Sequence, residues 1–196
     1  IFVLGQTDYK RMLAYSSVEH MGILALGVGI GGAATFGSML HAINHSFTKA
    51  MLFLVAGNIL AAYKTKTVAE VHGVLRVLPI SGLLWIAGFL AITGSPPFGP
   101  FLSELTILKA ALDQGRPGVA VTYVVLLMII FVGMATIVLH MAQGLPDNSD
   151  RAACDQKESA FAVAPAAALI AVVLLLGLYV PSFLSRALQG AAQALG

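Results

Sequence analysis

Between Phe36 and Tyr63 the chain carries one apolar segment with His41, His45 and Lys49 inside it. At 1.5 Å rise per residue a helix of that length covers roughly 40 Å, enough to cross a bilayer with tilt. Inside lipid every backbone N–H and C=O must find its partner within the protein, so a chain of such segments crosses as helices. Composition agrees: Asp, Glu, Lys and Arg make up 10% of residues and hydrophobic residues 58%. A soluble domain carries roughly 25% charge, and this chain could not cover an aqueous surface with what it has. The expected fold class is all-α, a polytopic transmembrane helical bundle.

The hydrophobic pattern gives five crossings. A first helix runs from about Tyr9 to Gly27, where the run Gly27-Val28-Gly29-Ile30-Gly31-Gly32 reads as a turn and not as a dimerisation seam. The Phe36–Tyr63 helix is the second. Two short apolar pieces, 80–93 and 101–112, flank Gly94-Ser95-Pro96-Pro97-Phe98-Gly99-Pro100. Each is too short to span, and the prolines forbid one continuous helix. They therefore read as one discontinuous helix, tolerated at membrane depth where protein or water surrounds the break. Residues 119–141 and 161–180 form two further spans, the last ending at Pro181 before an Ala/Gln tail. The expected organisation is a transmembrane domain over 1–142, an aqueous loop over 143–160, and a final span with its tail over 161–196.

Basic residues orient the bundle. Lys10, Arg11, Lys64, Lys66, Arg76, Arg151 and Lys157 fall on one side of these spans, and Arg116 and Arg186 on the other. The first side is expected to face the cytoplasm. The bias weakens if the two short pieces cross separately. The chain opens Ile1-Phe2-Val3 without Met, a basic n-region or a signal cleavage site, so it is expected to be the C-terminal part of a longer protein.

Titratable residues inside spans are costly and mark sites. His41, His45 and Lys49 stand at i, i+4 and i+8, sharing one helix face with Asn44 and Thr48 over about 12 Å. Imidazole can pass a proton between its two nitrogens, so the row suggests a proton path; a polar seam packing helices through hydrogen bonds is the plainer alternative. A His pair at i, i+4 is also a metal-binding pattern, but no third ligand is evident. Glu19 and His20 lie some ten residues beyond Lys10-Arg11, near mid-membrane, as a proton-exchanging carboxylate or one half of a structural ion pair. Glu104 stands a few residues past the break, where unwound backbone admits water and a carboxylate could load a proton or a cation. Lys109 and His140 are weaker candidates, and His72 reads as a solvated loop residue.

Other functions find little support. Net charge is +2 and no basic run is interleaved with aromatics, which argues against nucleic acid. The one cysteine, Cys154, excludes an internal disulfide and a cysteine metal cluster. There is no phosphate-binding glycine loop and no Ser/His/Asp triad. His41 and His45 are too close along one helix to ligate opposite faces of a haem.

Three blocks carry a family resemblance. Asp8-Tyr9-Lys10-Arg11-Met12-Leu13-Ala14-Tyr15-Ser16-Ser17, with Glu19-His20-Met21-Gly22, resembles the antiporter-like subunits of respiratory complex I, membrane-bound hydrogenases and multi-subunit Na+/H+ antiporters. His41-x-x-Asn44-His45-x-x-x-Lys49 with Leu52-Phe53 and Ala56-Gly57-Asn58, then Thr93-Gly94-x-Pro96-Pro97-Phe98 and Phe101-x-Ser103-Glu104, continue it in the family's order. The resemblance implies the second half of an inverted-repeat antiporter-like bundle with one discontinuous helix. It also implies proton-translocating roles for Lys10, His41, His45, Lys49 and Glu104, beside Glu19 and His20, which their depth in the first span already marks. Glu19 and the Ser103-Glu104 block resemble the formate-hydrogenlyase-type, hydrogenase-4 subunit in particular. The implied function is that of a membrane-arm subunit moving protons, coupled to electron transfer in a hydrogenase or NADH:quinone oxidoreductase complex. The alternative is a component of a gradient-driven Na+/H+ antiporter. No cofactor is expected in this chain, with NiFe, Fe–S or flavin confined to partner subunits. Its expected partners are other membrane subunits, a peripheral redox arm, lipid, and protons or sodium. The bacterial inner membrane is the expected location.

Overall fold

The computed structural model describes residues 5–144 and 158–195. Arg151, Cys154 and Lys157 lie outside them, as does most of the expected aqueous loop. The described residues form helices α1 (Tyr9–Ile30), α2 (Ala33–Tyr63), α3 (Val74–Val77), α4 (Pro79–Ile92), α5 (Gly99–Asp113), α6 (Pro117–Ala142), α7 (Ala160–Leu178) and α8 (Ser182–Ala194). Among them, α1, α2, α6 and α7 are long and apolar enough to cross a membrane. The protein is an integral, multi-pass helical bundle.

The start of α1 is set by Asp8, whose carboxylate accepts from the Lys10 and Arg11 amides at 2.9 and 3.1 Å, satisfying two N–H groups the helix cannot. The same side chain pairs with Lys66 at 3.2 Å. Tyr9 N–H donates to the Lys66 carbonyl and Val68 N–H to that of Thr7, tying the start of α1 to the end of α2. Burial disfavours the Asp8 carboxylate, but the Arg11 amide, Lys66 and the Lys10 amide outweigh it and hold its pKa below the ordinary 3.8. Gly73 N–H donates to the Gln143 carbonyl, bringing the end of α6 to the same side. Lys10, Arg11, Lys64, Lys66 and Arg76 thus collect at one end of the bundle, with Arg116 at the other.

Two short helices make one crossing. Along α4 and α5 the partners descend α2 in order. Ser81 accepts from Asn58 at 3.2 Å, Gly88 packs on Leu52 and Met51, Gly99 on Asn44, and Ile107 on Gly37. Gln114 then reaches the Gly31 carbonyl at 3.4 Å. The α4–α5 pair therefore runs antiparallel to α2 over its whole length, with the break at mid-depth. Gly94 has φ +67°, the left-handed region that glycine occupies without penalty.

Two features depart from the sequence reading. The glycine run is not a turn from Gly27: α1 continues to Ile30, and the turn is Gly31-Gly32 alone. Gly27 instead lets α2 approach, since a Cβ there would collide with Ser38 and the Ala34 carbonyl. The Ala/Gln tail is helical; α8 buries Leu188 and Ala192 and leaves most of its surface exposed. The main apolar core joins α1, α2, α4, α6 and α7 around Trp85, which meets Tyr9 edge-on at 6.0 Å. The outer faces of α6 and α7 expose Val121, Val125, Met128, Val132, Leu175 and Leu178, as lipid contact allows.

Candidate functional site

The polar interior lies between α1, α2 and α5. The i, i+4 spacing on α2 turns His41, Asn44, His45, Thr48 and Lys49 inward, and all are buried. Across from them α1 contributes Leu13, Ser16 and His20, and α5 contributes Ser103 and Glu104, also buried. Small residues permit this close contact: Gly27 on α1 and Gly37 on α2 sit against Ser38, Ile107 and the Ser103 carbonyl.

His41 is held at both ring nitrogens. Its Nδ1 lies 2.9 Å from Ser103 Oγ and its Nε2 lies 2.9 Å from His20 Nδ1. The Ser103 hydroxyl donates to the Pro100 carbonyl at 2.8 Å. That uses its single proton, so His41 Nδ1 carries the ring hydrogen and donates to Ser103. With Ser103 donating to Pro100, His41 Nε2 is the acceptor and His20 Nδ1–H donates to it, a tautomer assignment that follows from that choice of hydroxyl partner. The result is a directed chain from α1 through α2 to the first turn of α5. His45 stacks beside it, its ring centroid 4.6 Å from that of His20, with Nδ1 lacking a hydrogen-bond partner among the described residues.

Lys49 lies one turn beyond His45. Its ammonium donates to the Leu13 carbonyl at 2.6 Å and to Ser16 Oγ. Glu104 is next to Ser103 on α5 and folds back over the break, where a Cβ on Gly94 would strike its carboxylate. Glu104 Oε1 and both polar atoms of Asn44 have no partner among the described residues. Buried groups of this kind are costly unless water or an ion reaches them.

Glu19 and His20 are adjacent in sequence but face different surroundings. His20 joins the histidine cluster, whereas Glu19 lines a crevice of about 450 Å³ between α1 and α6, with Tyr15, Leu26, Tyr123 and Ile130. The Glu19 oxygens and the Tyr123 hydroxyl lack hydrogen-bond partners among the described residues. The alternative of a structural ion pair at Glu19 thus finds no bonded partner among those residues, although Lys49 lies within electrostatic reach.

The remaining candidates lie apart. Lys10 sits half-buried in the first turn of α1, about 15 Å from His20 by the helical rise. Lys109 is exposed and pairs with Asp113 at 2.5 Å, turned away from Glu104. His140 is exposed at the basic end of the bundle, edge-on to His72 at 4.6 Å. Residues to which the sequence assigns no role are Ser16, Ser103 and Tyr123. The motif around Ser103 points to the region, but nothing in its spacing shows that the hydroxyl meets a histidine on another helix.

Residues 1–130 match the family described as NADH:quinone oxidoreductase/Mrp antiporter, TM. The chain belongs to this family. A hydrogenase-4 component F homolog from Methylacidiphilum infernorum is 44% identical over 105 residues, covering 53% of this chain and 22% of that protein. NADH-quinone oxidoreductase subunit M from Mycobacterium tuberculosis is 30% identical over 182 residues, 91% of this chain and 32% of that protein. A chain of the Mrp complex from Dietzia sp. DQ12-45-1b superposes with a TM-score of 0.82 at 25% identity, covering 98% of this chain and 43% of that one. The chain thus spans less than half of each of these three proteins, and its fold is the antiporter-like bundle with its discontinuous helix.

Proposed function

We propose that this chain forms one half-channel of a proton-translocating membrane subunit, coupled to electron transfer in a hydrogenase or NADH:quinone oxidoreductase type of complex. The observation that carries the reading is the hydrogen-bonded chain His20–His41–Ser103. It joins three helices between Lys49 on one side and Glu104, beside the break, on the other. Protons pass along preformed bonds through the imidazoles, and water at the break connects Glu104. Lys49 and Glu104 are the groups whose charge state sets the direction of transfer, with Glu19 a branch toward the α1–α6 crevice. Lys10, Lys109 and His140 flank the row near the two faces. Redox groups of NiFe, Fe–S or flavin type belong to partner subunits of a peripheral arm, and the complex sits in a bacterial inner membrane with the basic end cytoplasmic.

The gradient-driven Na+/H+ antiporter is the second reading, favoured by the superposition on a chain of the Mrp complex. Purification of the complex around the full-length chain separates them, since nickel–iron or flavin and iron–sulfur partners support the first and a purely membrane assembly the second. The channel itself is tested by Lys49→Ala and Glu104→Ala in the intact complex. Translocation should fall to background while the complex still assembles; unchanged pumping would reduce the chain to a scaffold.

A further inference from the structure

We propose that the imidazoles of His20, His41 and His45 form a three-nitrogen site for a borderline divalent transition-metal ion of the Zn2+ type, which competes with the hydrogen-bonded chain for the same nitrogen lone pairs. The α2 pair at i, i+4 supplies two ligands. The third comes from α1, so the set is invisible along either helix alone. One ligand nitrogen from each ring lies within 4.8 Å of the others, and all three residues are buried.

The geometry is near what the ion needs. Zn–N bonds of about 2.0–2.1 Å in a tetrahedral shell place ligand nitrogens roughly 3.4 Å apart. His20 Nδ1 and His41 Nε2, at 2.9 Å, open slightly as the ion replaces the proton between them. His45, with Nδ1 unpartnered among the described residues, closes the remaining gap by turning its ring. His41 is already oriented as a metal-binding imidazole is, its second nitrogen donating to Ser103 Oγ. Three imidazoles with a water in the fourth position suit zinc, copper or nickel, and they do not suit magnesium or calcium, which take oxygen ligands. The charges nearby act in both directions. Lys49, within electrostatic reach of His20 and His45, opposes a dication, and the Glu19 carboxylate, within reach of Lys49, offsets that.

The binding stands on the cluster alone; its consequence, blocked transport, rests on the proposed proton route. The intact complex, stripped with chelator and titrated with ZnCl2, is assayed for zinc content and by X-ray absorption at the zinc edge. The expected result is a retained zinc with nitrogen ligands at about 2.0–2.1 Å. His20→Gln and His45→Gln should weaken it by more than about 100-fold, and Ser103→Ala by about 10- to 100-fold, the usual effect of losing an orienting partner. His72→Gln and His140→Gln, at the separate pair near the basic end, should leave that zinc in place. Reading two independent ligand variants keeps the result clear if one complex fails to assemble. Equal zinc affinity in the assembled ligand variants, or a sulfur shell at the edge, would overturn the site. Zinc that binds through these histidines while translocation continues would support the site and contradict the proton route.

Discussion

The histidine row of α2 and the break between α4 and α5 are neighbours built in different ways. Along the histidine row most bonds are already made: His41 is engaged at both nitrogens and Lys49 is held by Leu13 and Ser16, with His45 Nδ1 the exception among the described residues. At the break, Glu104 Oε1 and the Asn44 amide have no partners among the described residues. One region is a hydrogen-bonded segment held by an unbroken helix. The other is an unwired segment whose polar groups require water. The contrast assigns transfer to the bonded imidazoles and gating to Glu104 at the break, with Lys49 the second charged group at the other end of the row.

A near-complete loss should come from closing the space at the break. Gly94→Ala places a Cβ where the Glu104 carboxylate lies and forces a left-handed conformation costing a side chain about 1–2 kcal/mol. Translocation should fall nearly as far as with Glu104→Ala, measured by proton uptake into vesicles holding the complex. Normal uptake would mean that Glu104 need not occupy that position. Ser103→Ala should act less severely. It removes the acceptor of His41 Nδ1 but leaves both imidazoles, and a water can take the hydroxyl's place, so a partial loss of roughly tenfold is expected, below the roughly 100-fold or more that losing a proton-transferring group itself costs. If Ser103→Ala abolished transport, the wired segment would be as fragile as the break.

The smallest effect concerns the anchoring of α1, which carries Leu13, Ser16 and His20. Asp8→Asn keeps the cap acceptor but loses the ion pair to Lys66, so it should cost under about 1 kcal/mol in thermal stability. The sign of its pH dependence is fixed by the lowered pKa of Asp8. The stabilisation is fully present above the unfolded value near 3.8 and is lost as pH falls through the lower folded value. The gap between native and Asp8→Asn proteins in a melting series should therefore narrow toward acid. A gap that widened there would remove Asp8 from the anchoring role.

The two regions also differ in how openly the sequence displays them. The break is legible because proline and glycine act locally: Pro96 and Pro97 lie in the turn after α4, and Pro100 fits the first turn of α5, where its missing N–H costs nothing. The α2 row is legible because about 3.6 residues per turn puts i and i+4 on one face. The wiring between helices is not. That His20 meets His41, that Ser103 accepts from it, and that Ser16 and Leu13 hold Lys49 all depend on how α1, α2 and α5 dock. Docking is set by shape, through contacts such as Gly27 on Ser38, and no within-helix period encodes it. Lys109 shows the same limit: its place in the apolar α5 suggests the interior, yet its face turns outward to Asp113. The helix over Ser182–Ala194 reads as a tail because low hydropathy hides an amphipathic helix behind Pro181.

The central claim is that protons pass through the His20–His41–Ser103 chain, and His41→Leu tests it most directly. The substitution puts an apolar side chain of similar reach in its place and removes both relay nitrogens. Proton uptake per turnover should be measured on the assembled complex in sealed vesicles, with electron transfer or counter-ion flux monitored in the same sample. Uptake is predicted to fall to background while the complex remains intact. Uptake at the native rate would contradict the claim, placing the proton path elsewhere and leaving the histidines as a packing seam.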